Sequence, residues 1–460
     1  MRRIPGLRNL LLAAATALIT TIGAVVVILQ PADTTRKITG TNAAAPGLGW
    51  SLDAATTYGH AGARFRDPTD GTQSDMHTIG FVDAGATLLT VLGIPNGDTR
   101  ELRNPELFGI DAATGTTRWR TPAPDLDRCA AAPVDGRLVC HTFGGASGKP
   151  ALIGYDIATG SVTRTPTDWD VLGLAAMGDH LYVTEKDYDS YSDDLSVHAG
   201  TLTNPDAFWT RTFADADSSG SIDVSHGQGV LGLGGNGIGF DLATGAPTWT
   251  TERIPCSETS TMSPALVVRI RAECHNGVIG SDLIDRTGRT IASTDRNITH
   301  RISIDAPADD SVPILLADSA YDRRTGALVW TSPDLRSTTS DPKSLSGTAI
   351  AVLGDTALLQ DLMARTMTGL DMHTGRRLWQ FRDDRLPSLG DWDGSRAVFI
   401  DTDGLRAIDL RTGKTVWDIP FLAINDKPHT FDDQGHLTAH RGGRYFYTSA
   451  RTMISLRPLP

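Results

Sequence analysis

A nine-residue string, Asp-x-x-Thr-Gly-x-x-x-Trp, recurs five times in this 460-residue chain. The copies are Asp111–Trp119, Asp241–Trp249, Asp322–Trp330, Asp371–Trp379 and Asp409–Trp417. Self-similarity of this kind restricts the fold to one in which a single supersecondary unit is repeated side by side. The number and spacing of the units therefore matter more than overall composition.

Weaker copies fill the intervals between the clear ones. Asp156–Gly160 keeps the turn but has Arg164 in place of the Trp, and Asp285–Gly288 is one residue shorter and lacks the Trp. A worn copy is predicted near Val197 to Trp209. Successive units then lie about 37 to 49 residues apart, which is the length of one blade of a propeller.

The unit itself predicts a β-hairpin. A short apolar strand precedes each Asp, and a second strand ends at the Trp. The Asp side chain accepts hydrogen bonds from the backbone that follows it, and Gly supplies the positive φ of a tight turn. Two more strands precede the hairpin, as in Ala349–Leu353 and Thr356–Leu359. Four antiparallel strands per unit indicate an all-β propeller.

The two ends of the chain predict how the ring closes. Met453–Arg457 has the pattern of the strand before a turn, but no Trp strand follows it. Gly47–Trp50 has the pattern of the missing strand, so pairing of the two would remove an open sheet edge. We therefore predict a single propeller over residues 47–460. The five full copies and the two weaker ones make seven, and the worn copy and the composite end unit make nine; we predict eight blades.

The first residues predict a membrane anchor. Arg2, Arg3 and Arg8 precede an uncharged stretch over residues 10–29, which as a helix spans the roughly 30 Å bilayer core. The excess of positive charge before this stretch places residues 1–9 in the cytoplasm. Residues 30–46 are then a linker to an exported propeller. The alternative is a long signal peptide that is cleaved, which also exports the propeller.

The four cysteines fall into two close pairs and suit an exported protein. Pairing of Cys129 with Cys140 and of Cys256 with Cys274 would join neighbouring antiparallel strands, although four cysteines allow three connectivities. The competing zinc site needs a C-x₂₋₄-C spacing, which the chain lacks. We predict two structural disulfides.

The net charge excludes one class of partner. Lys+Arg 42 against Asp+Glu 54 gives a formal charge of −12. An acidic surface repels phosphate backbones, so we expect no nucleic-acid partner.

The units resemble the pyrroloquinoline-quinone-like (PQQ-like) β-propeller repeat, and the resemblance covers roughly residues 47–460. It implies that the repeated tryptophans dock between neighbouring blades and are structural: Trp119, Trp249, Trp330, Trp379 and Trp417. The family contains quinone- and calcium-dependent dehydrogenases and non-catalytic scaffolds. The dehydrogenases imply two adjacent bridged cysteines, which this sequence lacks. The resemblance therefore favours the scaffold branch and disfavours the quinone.

One segment is a candidate calcium loop. Asp215, Asp217, Ser219 and Asp223 present oxygens in the order of such a loop, with hard ligands that suit Ca²⁺. The twelfth position is His226 and not the bidentate Glu that the loop requires, so a solvated acidic turn is the alternative. A second acidic tract, residues 185–194, is interpreted in the same two ways, as a site for a cationic partner or as a solvated hairpin tip.

These observations predict a bacterial, single-pass membrane protein whose propeller lies outside the cytoplasm. We expect it to act as a binding or assembly scaffold for a protein or a cell-envelope polymer, with no catalytic residues assigned. The alternative is a PQQ-dependent dehydrogenase of alcohols or sugars that uses calcium.

Overall fold

The structure is a computed structural model. It describes residues 35–72, 78–97, 101–143, 148–186, 194–214, 216, 221–232, 237–252, 254, 256–262, 266–275, 277–337, 346–425, 431 and 435–459. The predicted anchor at residues 10–29 lies outside these ranges. No helix in the described ranges is long and apolar enough to cross a membrane. The helices are α1 (Ala54–Tyr58), α2 (Phe421–Ile424) and two 3₁₀ turns, Pro68–Asp70 and Pro333–Leu335.

The described strands form nine sheets, numbered here as blades 1 to 9 in chain order. β1 (Gly47–Asp53) precedes blade 1, which contains β2 (Arg64–Arg66), β3 (Val82–Asp83), β4 (Thr87–Pro95), β5 (Leu102–Asp111) and β6 (Thr117–Pro122). Blade 2 contains β7 (Leu126–Cys129), β8 (Arg137–Thr142), β9 (Ala151–Asp156) and β10 (Val162–Pro166). Blade 3 contains β11 (Val171–Met177), β12 (His180–Glu185), β13 (Leu195–Gly200) and β14 (Trp209–Phe213).

The middle of the chain continues the same order. Blade 4 contains β15 (Ile222–Ser225), β16 (Gln228–Leu231), β17 (Ile238–Asp241) and β18 (Pro247–Thr250). Blade 5 contains β19 (Glu258–Met262), β20 (Leu266–Glu273), β21 (Gly277–Ile284) and β22 (Thr290–Thr294). After β23 (Ile304–Pro307), blade 6 contains β24 (Ile314–Leu316), β25 (Ser319–Tyr321) and β26 (Leu328–Thr331).

The last blades complete the ring. Blade 7 contains β27 (Ala349–Gly354), β28 (Thr356–Asp361), β29 (Thr366–Asp371) and β30 (Arg377–Arg382). Blade 8 contains β31 (Ser388–Trp392), β32 (Arg396–Ile400), β33 (Gly404–Asp409) and β34 (Thr415–Pro420). Blade 9 contains β35 (His436–His440), β36 (Arg444–Thr448), β37 (Thr452–Arg457) and, as its outermost strand, β1.

The prediction of an all-β propeller of four-stranded blades is confirmed, but the number of eight blades is wrong, because the fold has nine. The worn unit forms a full blade, blade 3, in which β13 pairs with β14 without the repeated turn. The shortened unit forms blade 5, in which β21 pairs with β22 across the shorter turn Asp285–Gly288. A blade needs four pairing strands, and the turn motif is only one way to join the last two.

Two sheets depart from the regular pattern. In blade 1 both β2 and β3 pair with β4, so the innermost strand is split. Blade 6 has three strands, and β23, which precedes it, pairs in parallel with β27 of blade 7. The innermost strand expected of blade 6 is therefore found on its neighbour.

The predicted closure of the ring is confirmed. β1 pairs antiparallel with β37, from Gly47 opposite Arg457 to Asp53 opposite Thr452. The first strand of the propeller and the last one thus lie in one sheet.

The hydrophobic core is a series of clusters between neighbouring blades. One cluster joins Val398 and Ile419 of blade 8 to Leu437 and Ile454 of blade 9. These side chains are at most 3% exposed. Each blade buries both of its faces against its neighbours, so the core runs around the ring.

Both predicted disulfides are confirmed. Cys129 and Cys140 lie opposite each other on β7 and β8. Cys256 precedes β19 and is bonded to Cys274, which follows β20. Each bond links the first two strands of one blade.

Candidate binding face

The two ends of the blades differ. Because strands within a blade are antiparallel, the connections from first to second strand and from third to fourth strand lie at one end, here called the turn face. Connections from second to third strand and from one blade to the next lie at the other end, here called the loop face. The repeated turn belongs to the turn face, whereas the loop-face connections share no motif.

The repeated turn is closed by its own side chains. Asp111 Oδ1 accepts hydrogen bonds from the backbone N–H of Ala113 and Thr114, at 2.9 and 2.8 Å, and from Thr114 Oγ1 at 3.0 Å. Gly115 has φ +72°, which favours glycine. The same Asp–Thr contacts recur at Asp156, Asp241, Asp322, Asp371 and Asp409. In each unit Oδ1 of the aspartate holds the turn.

Apart from Trp417, each docking tryptophan lies over the turn glycine of the next blade. Trp119 Nε1 donates to the carbonyl of Ile157 at 2.9 Å, and a Cβ added at Gly160 would lie 2.5 Å from the indole. The same indole-to-carbonyl bond is made by Trp50, Trp209, Trp330 and Trp379. Trp209 belongs to the worn unit and Trp50 to the closing strand. The indoles fasten one blade to the next.

Two tryptophans lack this hydrogen bond. Trp249 docks on the shortened turn of blade 5, and Trp417 docks on blade 9, whose last two strands, β37 and β1, are not joined by a turn. Neither buried indole N–H finds an acceptor among the described residues. The acceptor in the regular blades is the carbonyl of the residue after the turn Asp, so a blade with an altered turn loses it.

The loop face presents apolar side chains to solvent. Four large apolar residues of its described part are exposed: Phe143, Leu362, Met363 and Leu422. On the turn face Phe208 is exposed, and the remaining exposed large apolar side chains lie on outermost strands. Apart from Phe208 and the side chains of the outermost strands, the exposed large apolar groups of the described residues thus lie on the loop face.

A cleft of about 580 Å³ with mixed polar and apolar lining opens near the loop-face end of the innermost strands of blades 8 and 9. Its lining includes Asp67, Thr78, Ser388 and His436. Phe81 packs edge-on against His436, with ring centroids 5.0 Å apart. We call this space the axial cleft.

Burial sets the protonation of the groups beside the axial cleft. Burial lowers the pKa of His436 below its usual value, although Asp67, Asp391 and Asp83 oppose the shift. Burial also raises the pKa of Asp391, against the effect of the backbone N–H groups of Ala439 and Trp392. The imidazole of His436 is therefore neutral at pH 7 and acts as a hydrogen-bonding group.

The carboxylates near the axial cleft are already bonded to the protein. Asp391 accepts backbone N–H groups on both oxygens, at 2.7 and 2.8 Å. Asp83 pairs with His440 at 2.7 Å, and Asp67 Oδ1 accepts the N–H of Thr69 at 2.9 Å. Within the described residues no group of three His, Cys, Asp or Glu side chains could hold a metal ion.

Most of the predicted ligand residues lie outside the described residues. This holds for Asp215, Asp217 and Ser219 of the candidate calcium loop and for residues 187–193 of the acidic tract. Asp223 is described and accepts a hydrogen bond from Thr261 Oγ1 of blade 5. The calcium loop stays a prediction.

The polar residues at the axial cleft were not predicted from the sequence. Asp67, Asp391 and His436 are far apart in the chain and follow no local motif. Their common signal is that each is polar and lies in or next to the innermost strand of its blade, where a regular alternation places apolar residues towards the neighbouring blade.

Part of the chain matches a family model that contains the same repeat. The family model described as "Outer membrane protein assembly factor BamB" matches residues 319–440, from β25 of blade 6 to β35 of blade 9. A comparison with curated protein sequences finds no match.

The chain is also similar to solved structures. BamB from Moraxella catarrhalis is 13% identical over 82% of this chain and 95% of that one, with a TM-score of 0.43. A europium-containing methanol dehydrogenase is 11% identical over 88% and 85%, with a TM-score of 0.44. The dihydro-heme d1 dehydrogenase NirN is 11% identical over 78% and 73%, with a TM-score of 0.40.

These structural likenesses carry no family assignment. Residues 319–440 match a family model of the PQQ-like β-propeller repeat, and the Asp-x-x-Thr-Gly-x-x-x-Trp unit of that region recurs from blade 1 to blade 8. The propeller therefore resembles the PQQ-like β-propeller repeat beyond the matched residues.

Proposed function

We propose that this protein is a membrane-tethered, extracytoplasmic scaffold that binds a protein partner through its loop face. The proposal rests on the exposed apolar side chains of the loop face. Phe143, Met363 and Leu422 are 53%, 65% and 68% exposed. Exposed apolar groups on connections held by a rigid framework are typical of binding surfaces.

The three side chains come from different blades. Phe143 follows β8 of blade 2, Met363 lies between β28 and β29 of blade 7, and Leu422 lies in α2 after blade 8. Leu362 adds a second apolar group beside Met363 and is 56% exposed. A partner that covers Met363 and Leu422 together would contact two neighbouring blades, which suits a folded protein better than a small molecule.

The direction of β1 supports a definite orientation. Gly47 pairs with Arg457, the last residue of β37, so the chain enters the propeller at the turn face. An anchor at residues 10–29 would therefore hold the turn face towards the membrane. The loop face would then point away from the membrane, where an envelope partner is accessible.

The test is site-specific photo-crosslinking in cells. A photoreactive amino acid is placed at Met363 or at Leu422, and the matched control carries it at Ala113, an exposed residue of the turn face. We expect both loop-face positions to give the same adduct and Ala113 to give none. Adducts from Ala113 alone, or none at all from the loop face, would contradict the proposal.

The predicted membrane anchor is tested by a separate deletion. Deletion of residues 1–34 should release the propeller from the membrane fraction while its far-UV spectrum stays that of a β protein. A membrane-bound deletion variant would show that attachment does not depend on the predicted anchor.

The second candidate from the sequence is a quinone-dependent dehydrogenase, which the bonded carboxylates at the axial cleft do not favour. A thermal melt with quinone plus calcium separates the two. A ligand at about 100 times its Kd stabilises by about 2.7 kcal/mol, so a dehydrogenase would melt at a higher temperature. The scaffold is expected to show no shift.

A further inference from the structure

A second cleft lies on the turn face, between blades 4 and 5. It has a volume of about 450 Å³. Blade 4 lines it with Gln228, Asp241 and Thr248, and blade 5 lines it with Arg286 and Thr287. We call it the turn-face cleft. It lies at the opposite end of the blades from the proposed scaffold surface, so it is independent of that function.

Blade 1 shows what occupies the corresponding space in another blade. Arg118, the residue before the docking Trp, donates from Nε and Nη2 to Asp111 Oδ2, at 3.0 and 2.5 Å. Its Nη1 donates to Thr87 Oγ1 at 3.0 Å. A guanidinium therefore lies between the turn aspartate and the first residue of the second strand.

Blade 4 keeps the acceptors but not the guanidinium. Gln228 pairs with Asp241 in the register in which Thr87 pairs with Asp111. The residue before its docking Trp is Thr248. Asp241 bonds the turn through Oδ1 and forms no ion pair within the described part of the chain.

Blade 2 supplies the positive charge from another position. There Arg137 begins the second strand and lies opposite the turn aspartate, Asp156. The corresponding residue of blade 4 is the neutral Gln228. Both positions that provide a guanidinium elsewhere are thus neutral in blade 4.

Gln228 itself points to a ligand. The residue is 5% exposed, and neither its amide oxygen nor its amide nitrogen finds a partner among the described residues. Buried polar groups are nearly always bonded, so an unpartnered amide that lines a cleft indicates that something else completes it.

The far wall of the cleft carries the opposite charge. Arg286 lies in the shortened turn of blade 5, is exposed, and has no carboxylate partner among the described residues. A ligand that bridges the cleft therefore meets Asp241 on one wall and Arg286 on the other.

We propose that the turn-face cleft binds arginine, either as the free amino acid or as the C-terminal residue of a peptide. The ligand guanidinium takes the place that Arg118 fills in blade 1, donating to Asp241 Oδ2 and to the amide oxygen of Gln228. The ligand carboxylate pairs with Arg286. Citrulline, which has the same shape without the charge, is excluded by the loss of the pairing with Asp241.

The experiment is calorimetric titration of the full-length chain, purified in a mild detergent. The probes are L-arginine, citrulline, agmatine and the peptide acetyl-Gly-Gly-Arg with a free carboxylate. The key variant is Thr248→Arg, which supplies the guanidinium from within, as Arg118 does. The matched control is Thr250→Arg, an exposed position two residues along the same strand.

We expect L-arginine or the peptide to bind with a Kd at least about tenfold lower than that of citrulline or agmatine. Thr248→Arg should weaken this binding at least about tenfold, and Thr250→Arg should leave it within about twofold. Tighter binding of the peptide identifies a partner's C-terminus as the source, and tighter binding of L-arginine identifies the free amino acid.

Two results would overturn the proposal. One is the absence of saturable binding of both L-arginine and the peptide up to about 10 mM. The other is unchanged binding in Thr248→Arg. If Thr248→Arg does not fold, Asp241→Asn replaces it, because the amide oxygen still accepts the turn hydrogen bonds while the charge is lost.

Discussion

The stability contributed by the indole hydrogen bond between blades can be measured by comparing two tryptophans, one that forms this bond and one that does not. Trp379 and Trp249 are 9% and 7% exposed, and each packs over the turn glycine of the next blade. Trp379 Nε1 donates to the carbonyl of Leu410 at 2.8 Å, whereas Trp249 Nε1 has no acceptor among the described residues. The Trp→Phe change removes a similar volume at both sites, so the difference between them isolates the hydrogen bond.

The expected difference in stability follows from the hydrogen-bonding partners of the two indoles. Trp379→Phe leaves the carbonyl of Leu410 without its partner, at a cost of about 1–3 kcal/mol, whereas Trp249→Phe removes a buried N–H that has none. We expect Trp379→Phe to lower the free energy of unfolding by about 2 kcal/mol more than Trp249→Phe does. For roughly 410 residues, the two melting temperatures should differ by about 2–3 °C.

The assay is urea unfolding of both variants beside the unchanged protein, followed by tryptophan fluorescence. Trp→Ala at each site serves as the control for packing, and both should cost about 3–5 kcal/mol. Equal losses for the two Phe variants, or a larger loss at Trp249, would refute the assignment of stabilising energy to the indole N–H.

Two further predictions test other contacts. His198 lies between Glu185 at 3.0 Å and Asp206 at 2.6 Å; burial lowers its pKa, but the two carboxylates outweigh burial and raise it. The protonated His198 therefore stabilises the fold fully below about pH 6.5, and this stabilisation is lost as the pH rises through the raised folded-state pKa. His198→Gln should thus lower the urea midpoint at pH 5.5 more than at pH 9. A loss of stability that does not depend on pH would argue against the ion pairs. Gly413 and Gly178 both have positive φ, but only at Gly413 would a Cβ meet an indole, at 2.4 Å; Gly413→Ala should thus cost about 1–3 kcal/mol more than Gly178→Ala, and equal melting temperatures would contradict the close contact.

The repeated hairpin is predictable because its causes are local. Asp111, Thr114 and Gly115 close a turn within five residues, and the pattern of such turns reveals the blades. The cysteine pairs and the closing strand are predictable for a related reason, since each follows from a blade that is otherwise incomplete. Sequence reasoning therefore identifies the architecture.

The blade number and the polar clusters depend on contacts that no short pattern encodes. Blade 3 forms its last hairpin through residues 201–208, which contain no repeated turn. β23 leaves the place expected in blade 6 because its parallel pairing with β27 is available. Asp67, which follows β2 of blade 1, and His436 of blade 9 line one cleft only after the ring has closed. The number of nine blades and the axial cleft could therefore be established only from the structure.

The composite blade also has a consequence for how the protein is made. β1 is the first strand of the propeller in chain order, but its partner β37 is the last one. Blade 9 is therefore the last blade to assemble, after all the others have been translated. Until then β1 exposes an unpaired edge, which makes the unfinished chain a target for strand exchange and for chaperones that protect such edges.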